Sequence, residues 1–203
     1  ATLKGSLRMR DVLRRLVRVP LISDPDALRV RVSVKGEVLT LDSRELERIR
    51  EQVLGRIKLN RGRGMAEDLV VAALAAKVSD EVDLSPDEIT ATIAEQASLV
   101  MFMNAWWPAL SATGVLARLA DPAMVQQVAP DLNEEDRAAL VESYTWLRRD
   151  HDGHAITGWS VADIALLDEL VDVLGPMPEE PEEDADPIFI GLDEVSELVT
   201  LSD

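Results

Sequence analysis

Apolar positions recur along the chain at two periods, and these divide it into short elements. Over residues 6–18, Leu7, Val12, Leu13, Leu16 and Val17 fall near helical spacing, with Arg8, Arg10, Arg14, Arg15 and Arg18 set between them. Pro20 closes this helix. From 28 to 34 the period drops to two: Leu28, Val30, Val32 and Val34 alternate with Arg29, Arg31 and Ser33. Lys35-Gly36 turns the chain and Glu37–Leu41 returns, which predicts a β-hairpin over 28–41. Two strands alone are marginal, so the hairpin must lie against other elements.

Helix-start chemistry supplies the rest. Asp42 caps a helix with Glu45 in the capping-box position, and Leu41 and Leu46 are placed as a hydrophobic staple. Its apolar stripe is Leu46, Ile49, Val53 and Ile57, and Arg61-Gly-Arg-Gly64 breaks it as a flexible link. An Ala/Val/Leu-rich helix follows over 65–79. Ser85, Pro86 and Glu88 begin a helix expected to reach about Asn104, with Trp106-Trp107-Pro108 as its stop. Ser111 opens a helix ending near Ala120, Asp121-Pro122 a short one, and Asn133 caps 134–147. Ser160 caps again, Asp163 reaches back, Trp159 is placed to staple onto Ile164, and Gly175 terminates after Leu174. The expected fold is mainly α: a helical domain over 1–175 with one small β-hairpin, then a long acidic, Pro-rich loop within 176–203.

Composition narrows the class. A chain of 203 residues that is 47% hydrophobic and 29% charged buries a core and is not disordered throughout. No run of about 18 apolar residues offers a membrane span. Residues 1–20 lack the apolar core of a secretory signal, and the absence of Cys removes disulfides and thiolate chemistry. Opening on Ala1, the chain reads as a segment of a longer protein. The net charge of -17 is split: residues 1–63 carry a net +8 and residues 64–203 a net -25. A basic head and an acidic tail point to two different electrostatic jobs.

Candidate chemistry is sparse. None of Lys4, Lys35, Lys58 and Lys77 follows a phosphate-cradling glycine loop, and Arg61-Gly-Arg-Gly64 lacks the Lys-Ser/Thr ending. His151 and His154, with Asp150 and Asp152, could offer a metal a few ligands but lack the helix and general base of a zinc hydrolase motif. Asp150-His-Asp-Gly echoes the start of a calcium loop, but its twelfth position is Val161 rather than Glu, so a solvated turn is expected. The serines sit at helix caps, and Trp106, Trp107, Trp146 and Trp159 read as core and staple anchors. No catalytic residue, metal site or cofactor is expected in this segment. The acidic run Glu179, Glu180, Glu182, Glu183, Asp184 and Asp186 is the first candidate site. Such a run is drawn into basic channels or towards bound Mg²⁺. Its electrostatic reach is about 8 Å at physiological salt, so the folded part must deliver it. The alternative site is basic: Arg8, Arg10, Arg14, Arg15, Arg18 and Arg29 against nucleic-acid phosphates.

Two stretches carry a family resemblance. Met103-Asn-Ala-Trp-Trp-Pro-Ala-Leu-Ser-Ala-Thr-Gly-Val-Leu-Ala-Arg-Leu119 resembles the Trp-Pro-x-Leu-[Thr/Ser]-x-x-x-Leu-x-x-Leu stretch of the HelD family. Trp159-Ser-Val-Ala-Asp-Ile-Ala-Leu-Leu-Asp-Glu-Leu170 resembles its Trp-[Thr/Ser]-Val-Ala-Asp-x-x-Leu-Leu-Asp-Glu stretch, in the same order. The opening Leu3–Leu13 and the hairpin are similar to the segment upstream. HelD proteins are UvrD-like superfamily I helicase-like ATPases that bind bacterial RNA polymerase. The resemblance implies a cytoplasmic insertion that opens the polymerase clamp, with the acidic run 179–186 entering the primary channel near the catalytic Mg²⁺ and displacing DNA or RNA. It implies that ATP and Mg²⁺ belong to parts of a parent protein outside this segment, and it raises rifamycin tolerance, seen in a subset of the family. The family's amino-terminal coiled coil and ATP-binding motifs are absent from this sequence. The preference for Arg over Lys fits a GC-rich source such as an actinobacterium.

Overall fold

The structure, a computed structural model, describes residues 7–22, 24–145 and 159–178. In chain order its elements are α1 (Leu7–Arg18), β1 (Val30–Val34), β2 (Glu37–Leu41), α2 (Ser43–Leu54), a 3₁₀ turn (Leu59–Arg61), α3 (Arg63–Ala75), α4 (Pro86–Ala94) and α5 (Ala97–Trp106). Then come α6 (Ala112–Ala117) running into a 3₁₀ turn (Arg118–Ala120), α7 (Pro122–Val128), α8 (Glu134–Tyr144) and α9 (Val161–Leu174). Among the described residues the fold is mainly helical with a single two-stranded antiparallel hairpin, as the patterning predicts.

The hairpin forms for local reasons. Lys35 (φ 49°) and Gly36 (φ 91°) both take left-handed backbone, the primed turn whose twist matches the flanking strands. Val30 pairs with Leu41 and Val34 with Glu37, which turns Val30, Val32, Val34, Leu39 and Leu41 inward. That face rests on α3, α4 and α5, while α1 packs on α6, α7 and α9. The two groups share one continuous core that includes Leu13, Leu46, Leu74, Leu99, Met103 and Leu170.

Three expectations need correction. The helix begun at Ser85 does not run unbroken to Asn104; it stops at Ala94 and restarts at Ala97. Between them Gln96 is extended, and its side-chain amide accepts from the Ser33 N–H (3.0 Å) and donates to the Ser33 carbonyl (2.8 Å). It covers the open edge of β1 as a third strand would. Helix α2 ends at Gly55 rather than at the Arg61–Gly64 stretch. That stretch is an ordered corner: Arg61 closes the 3₁₀ turn, Gly62 is buried, and Arg63 and Gly64 begin α3. Ile164 is 56% exposed, and half-buried Trp159 packs on the core. The predicted continuation of α8 to 147 lies outside the described residues.

Candidate functional site

The most tightly specified part of the fold is the corner where α2, α3, α5 and the end of α9 meet. Trp107 ends α5, sits edge-on to Trp106 with ring centroids 5.3 Å apart, and donates its indole N–H to the Leu59 carbonyl at 2.9 Å. Gly62 lies beneath it: a Cβ there would be 2.8 Å from Val53 Cγ1 and 2.9 Å from Trp107 Cζ2. The 3₁₀ turn presents Asn60, which is 7% exposed. Its Oδ1 accepts from the Leu110 N–H (2.9 Å), and its Nδ2 donates to the Leu110 carbonyl (3.1 Å) and the Gly175 carbonyl (3.0 Å). Met177 Sδ lies 3.7 Å from the same nitrogen. Asn60 thus ties the Trp-Pro stretch to the residues that follow α9. Gly175, at φ 81°, turns the chain there with its backbone against Lys58. The acidic run begins four residues later in sequence, at Glu179.

Two arginines gather near this corner without a carboxylate. Arg50, 7% exposed, lies over the Trp107 ring at 4.9 Å from its centroid, and its buried Nε has no hydrogen-bond partner. Burial, and secondly the charge of Arg118, pull its guanidinium down to about 10, so it stays charged at neutral pH. Arg118 is also lowered by burial, and it spends its donors on the Leu16 and Val19 carbonyls at the end of α1 (3.1–3.2 Å). The cation there complements the negative end of that helix.

The six arginines proposed from the sequence do not form one surface. Arg10, Arg14 and Arg18, four residues apart, follow one flank of α1, while Arg8 and Arg15, seven apart, follow the other; Arg29 is exposed just ahead of β1. Arg10 pairs with Glu169 (3.1 Å) and Arg15 with Asp131 (3.0 Å). Arg14 and Arg18 instead line a groove of about 370 Å³ together with Arg56, which sequence reasoning passed over, and Lys58, which it weighed only as a phosphate-loop lysine. The only signal available for these two was their position just past the stop of α2 at Gly55. Lys58 is paired with Asp172 (2.9 Å) and Lys77 with Glu45 (2.8 Å), and Lys35 is at the exposed hairpin turn.

The second stretch of the resemblance builds the start of α9. Ser160 and Asp163 form a reciprocal capping box, and the second carboxylate oxygen of buried Asp163 accepts from the Tyr144 hydroxyl at 3.0 Å. Burial first, then the charge and hydrogen bond of Asp163, raise the Tyr144 phenol far above its ordinary value. This bond fastens α8 to α9 and is structural. Leu166 and Leu170 face the core, while Val161, Ile164 and Val171 face out.

The acidic residues Glu179, Glu180, Glu182, Glu183, Asp184 and Asp186 lie outside the described residues, as do His151, His154 and Trp146. Among the described residues no group of three or more His, Cys, Asp or Glu is arranged to hold a metal ion, and no helix is long and apolar enough to cross a membrane. No family model matches the chain, and no curated protein matches it.

Proposed function

We propose that this chain is a non-catalytic interaction module of a HelD-like protein: it binds core bacterial RNA polymerase, opens the clamp, and uses the acidic run 179–186 to compete with nucleic acid in the primary channel. ATP turnover would belong to the rest of such a protein. The observation that carries this reading is the anchored exit of the acidic run. Asn60 holds Gly175 and Met177 against the Trp107 corner, so six carboxylates follow directly from a fixed point on a folded body. An electrostatic reach of about 8 Å makes such an anchor necessary for a delivered charge. Clamp opening needs no chemistry. A ligand shifts an equilibrium only by binding one state better than the other, and a folded body seated between two polymerase elements would do so.

The test is retention of the purified chain on immobilised core polymerase, followed by competition with DNA. Neutralising the six acids to their amides is expected to keep folding and retention but to weaken competition. Unchanged competition removes the run from the mechanism, and no retention removes the reading. One observation favours a second reading, a nucleic-acid-binding accessory module: Arg8, Arg14, Arg18 and Arg29 are exposed and make no ion pair with a described residue. Tight duplex binding that falls steeply with salt, without polymerase retention, would select it.

A further inference from the structure

We infer that the groove between α1, the end of α2 and α9 is a docking site for this chain's own acidic run, so that the free protein covers a cationic surface with its own carboxylates. The groove is lined by Arg14, Arg18, Arg56 and Lys58 around the apolar Val17 and Val173. Arg14, Arg18 and Arg56 are exposed and make no hydrogen bond or ion pair with any described residue. Elsewhere on α1, Arg10 is answered by Glu169 of α9 and Arg15 by Asp131, while Arg8, at the other end of the helix from the groove, makes no ion pair with a described residue. One turn on from Glu169, the next residue of that α9 face is Val173, so no carboxylate stands on that row opposite Arg14 and Arg18. The one acid bordering the groove from α9, Asp172, is held by Lys58 in a pair left half to four-fifths exposed, a weak contact that an incoming carboxylate can replace. Three guanidinium forks around a single groove suit carboxylates, which accept two parallel N–H bonds from each fork.

The occupant follows from where the chain leaves the fold. Val173 lines the groove, and a Cβ on Gly175 would lie 3.1 Å from Lys58 Cβ. Glu179 comes four residues after Gly175, a separation of at most about 14 Å of extended chain. The first carboxylates are therefore within reach of the groove without any rearrangement of the body. A short tether holds them at an effective concentration on the order of 1 mM, which a free polyanion at micromolar concentration cannot match. The net -25 of residues 64–203 disfavours external nucleic acid further. Seating on polymerase would then exchange one set of cations for another. The inference stands without that reading, and its test contains no polymerase.

The probe is a fluorescein-labelled peptide of residues 177–187, titrated by anisotropy at low salt against the full chain. A cis competitor at about 1 mM facing a site of about 100 μM weakens a probe about tenfold. The chain with Glu179→Gln, Glu180→Gln, Glu182→Gln, Glu183→Gln, Asp184→Asn and Asp186→Asn is therefore expected to bind the peptide about tenfold tighter than the unmodified chain. Adding Arg14→Glu, Arg18→Glu and Arg56→Glu should abolish the gain, with circular dichroism unchanged. A charge-matched control, with Asp80, Glu81, Asp83, Glu95, Glu134 and Glu135 changed to their amides, should bind like the unmodified chain. Equal affinity of the neutralised and unmodified chains overturns the inference, as does an equal gain in the control. Binding of labelled oligothymidylate but not of the peptide by the neutralised chain also overturns it and gives the groove to nucleic acid.

Discussion

Replacing Asn60 by Ala tests the corner on which the functional reading rests. The side chain makes one buried and two partly buried hydrogen bonds, to the Gly175 carbonyl and to both backbone groups of Leu110. Truncation leaves two acceptors and one donor without their partner. A buried backbone group stripped of its partner costs about 1–3 kcal/mol, and a partly buried one recovers some of that from water, so the loss should total about 3 kcal/mol. With a urea slope of about 2 kcal/mol/M for a domain of this size, the unfolding midpoint should fall by about 1.5 M with the slope unchanged. Urea titration followed by tryptophan fluorescence and far-ultraviolet dichroism reads both. Asn60→Asp should be at least as damaging, because it keeps the acceptor for the Leu110 N–H but sets a charge against two carbonyl oxygens. A midpoint shift under about 0.3 M for both variants would refute the claim that Asn60 fixes the exit of the chain.

Other consequences can be read on the same instruments. Gly62→Ala drives a methyl into Val53 and the Trp107 ring and should cost about 1–3 kcal/mol. Its helical neighbour Gly64→Ala meets nothing within 4 Å and should stabilise by about 0.5–1 kcal/mol; equal shifts of the same sign would refute the packing argument. Arg50→Met removes a buried charge that lacks a hydrogen-bonded partner, and after loss of the contact with Trp107 it should still raise stability by about 1 kcal/mol; a clear loss would reveal an anion bound at Arg50. Tyr144 is the only tyrosine, so absorbance at alkaline pH reports it alone. Its raised value means that the folded chain keeps the proton where the unfolded chain releases it, so this group's stabilisation is complete below about pH 10 and declines as pH rises above that. Arg50, lowered to about 10, contributes with the opposite sign over the same range, so the phenolate signal rather than overall stability is the measurement. A phenolate appearing near pH 10 in chain that is still folded would refute the buried Tyr144–Asp163 bond.

What could be read in the sequence is what hydrogen bonds within one turn of helix. The capping boxes at Asp42 and Glu45, Ser85 and Glu88, and Ser160 and Asp163 each close over three residues, and all three form. The hairpin is similarly local, fixed by Lys35-Gly36 and by the alternation on either side. The errors fall where a side chain answers to a distant backbone. Gln96 breaks a helix to serve Ser33, 63 residues away, and Asn60 reaches partners 50 and 115 residues away. No window of neighbouring residues contains those demands. The cationic groove was missed for the same reason: Arg56 and Lys58 are unremarkable after a helix stop until α1 brings Arg14 and Arg18 beside them.

The residues that carry the resemblance are mostly those with structural work. In the first stretch Met103, Trp106, Trp107, Val115, Leu116 and Leu119 are buried, and in the second Asp163, Leu166 and Leu170 are. The two stretches converge on Asn60, which bonds Leu110 in the first and Gly175 just after the second. Packing at that corner alone accounts for Trp, Leu and Asp at these positions, so the motif residues carry the corner and do not by themselves name a partner. Under the proposed function, partner choice would fall to side chains the corner does not use. On the described body these include Arg14, Arg18 and Arg56, exposed and without ion pairs, and beyond it the six acids of 179–186. The two sets make separable predictions. Variants of the corner should lose stability and function together, whereas variants of the charged groups should alter binding and its salt dependence while the unfolding midpoint stays in place.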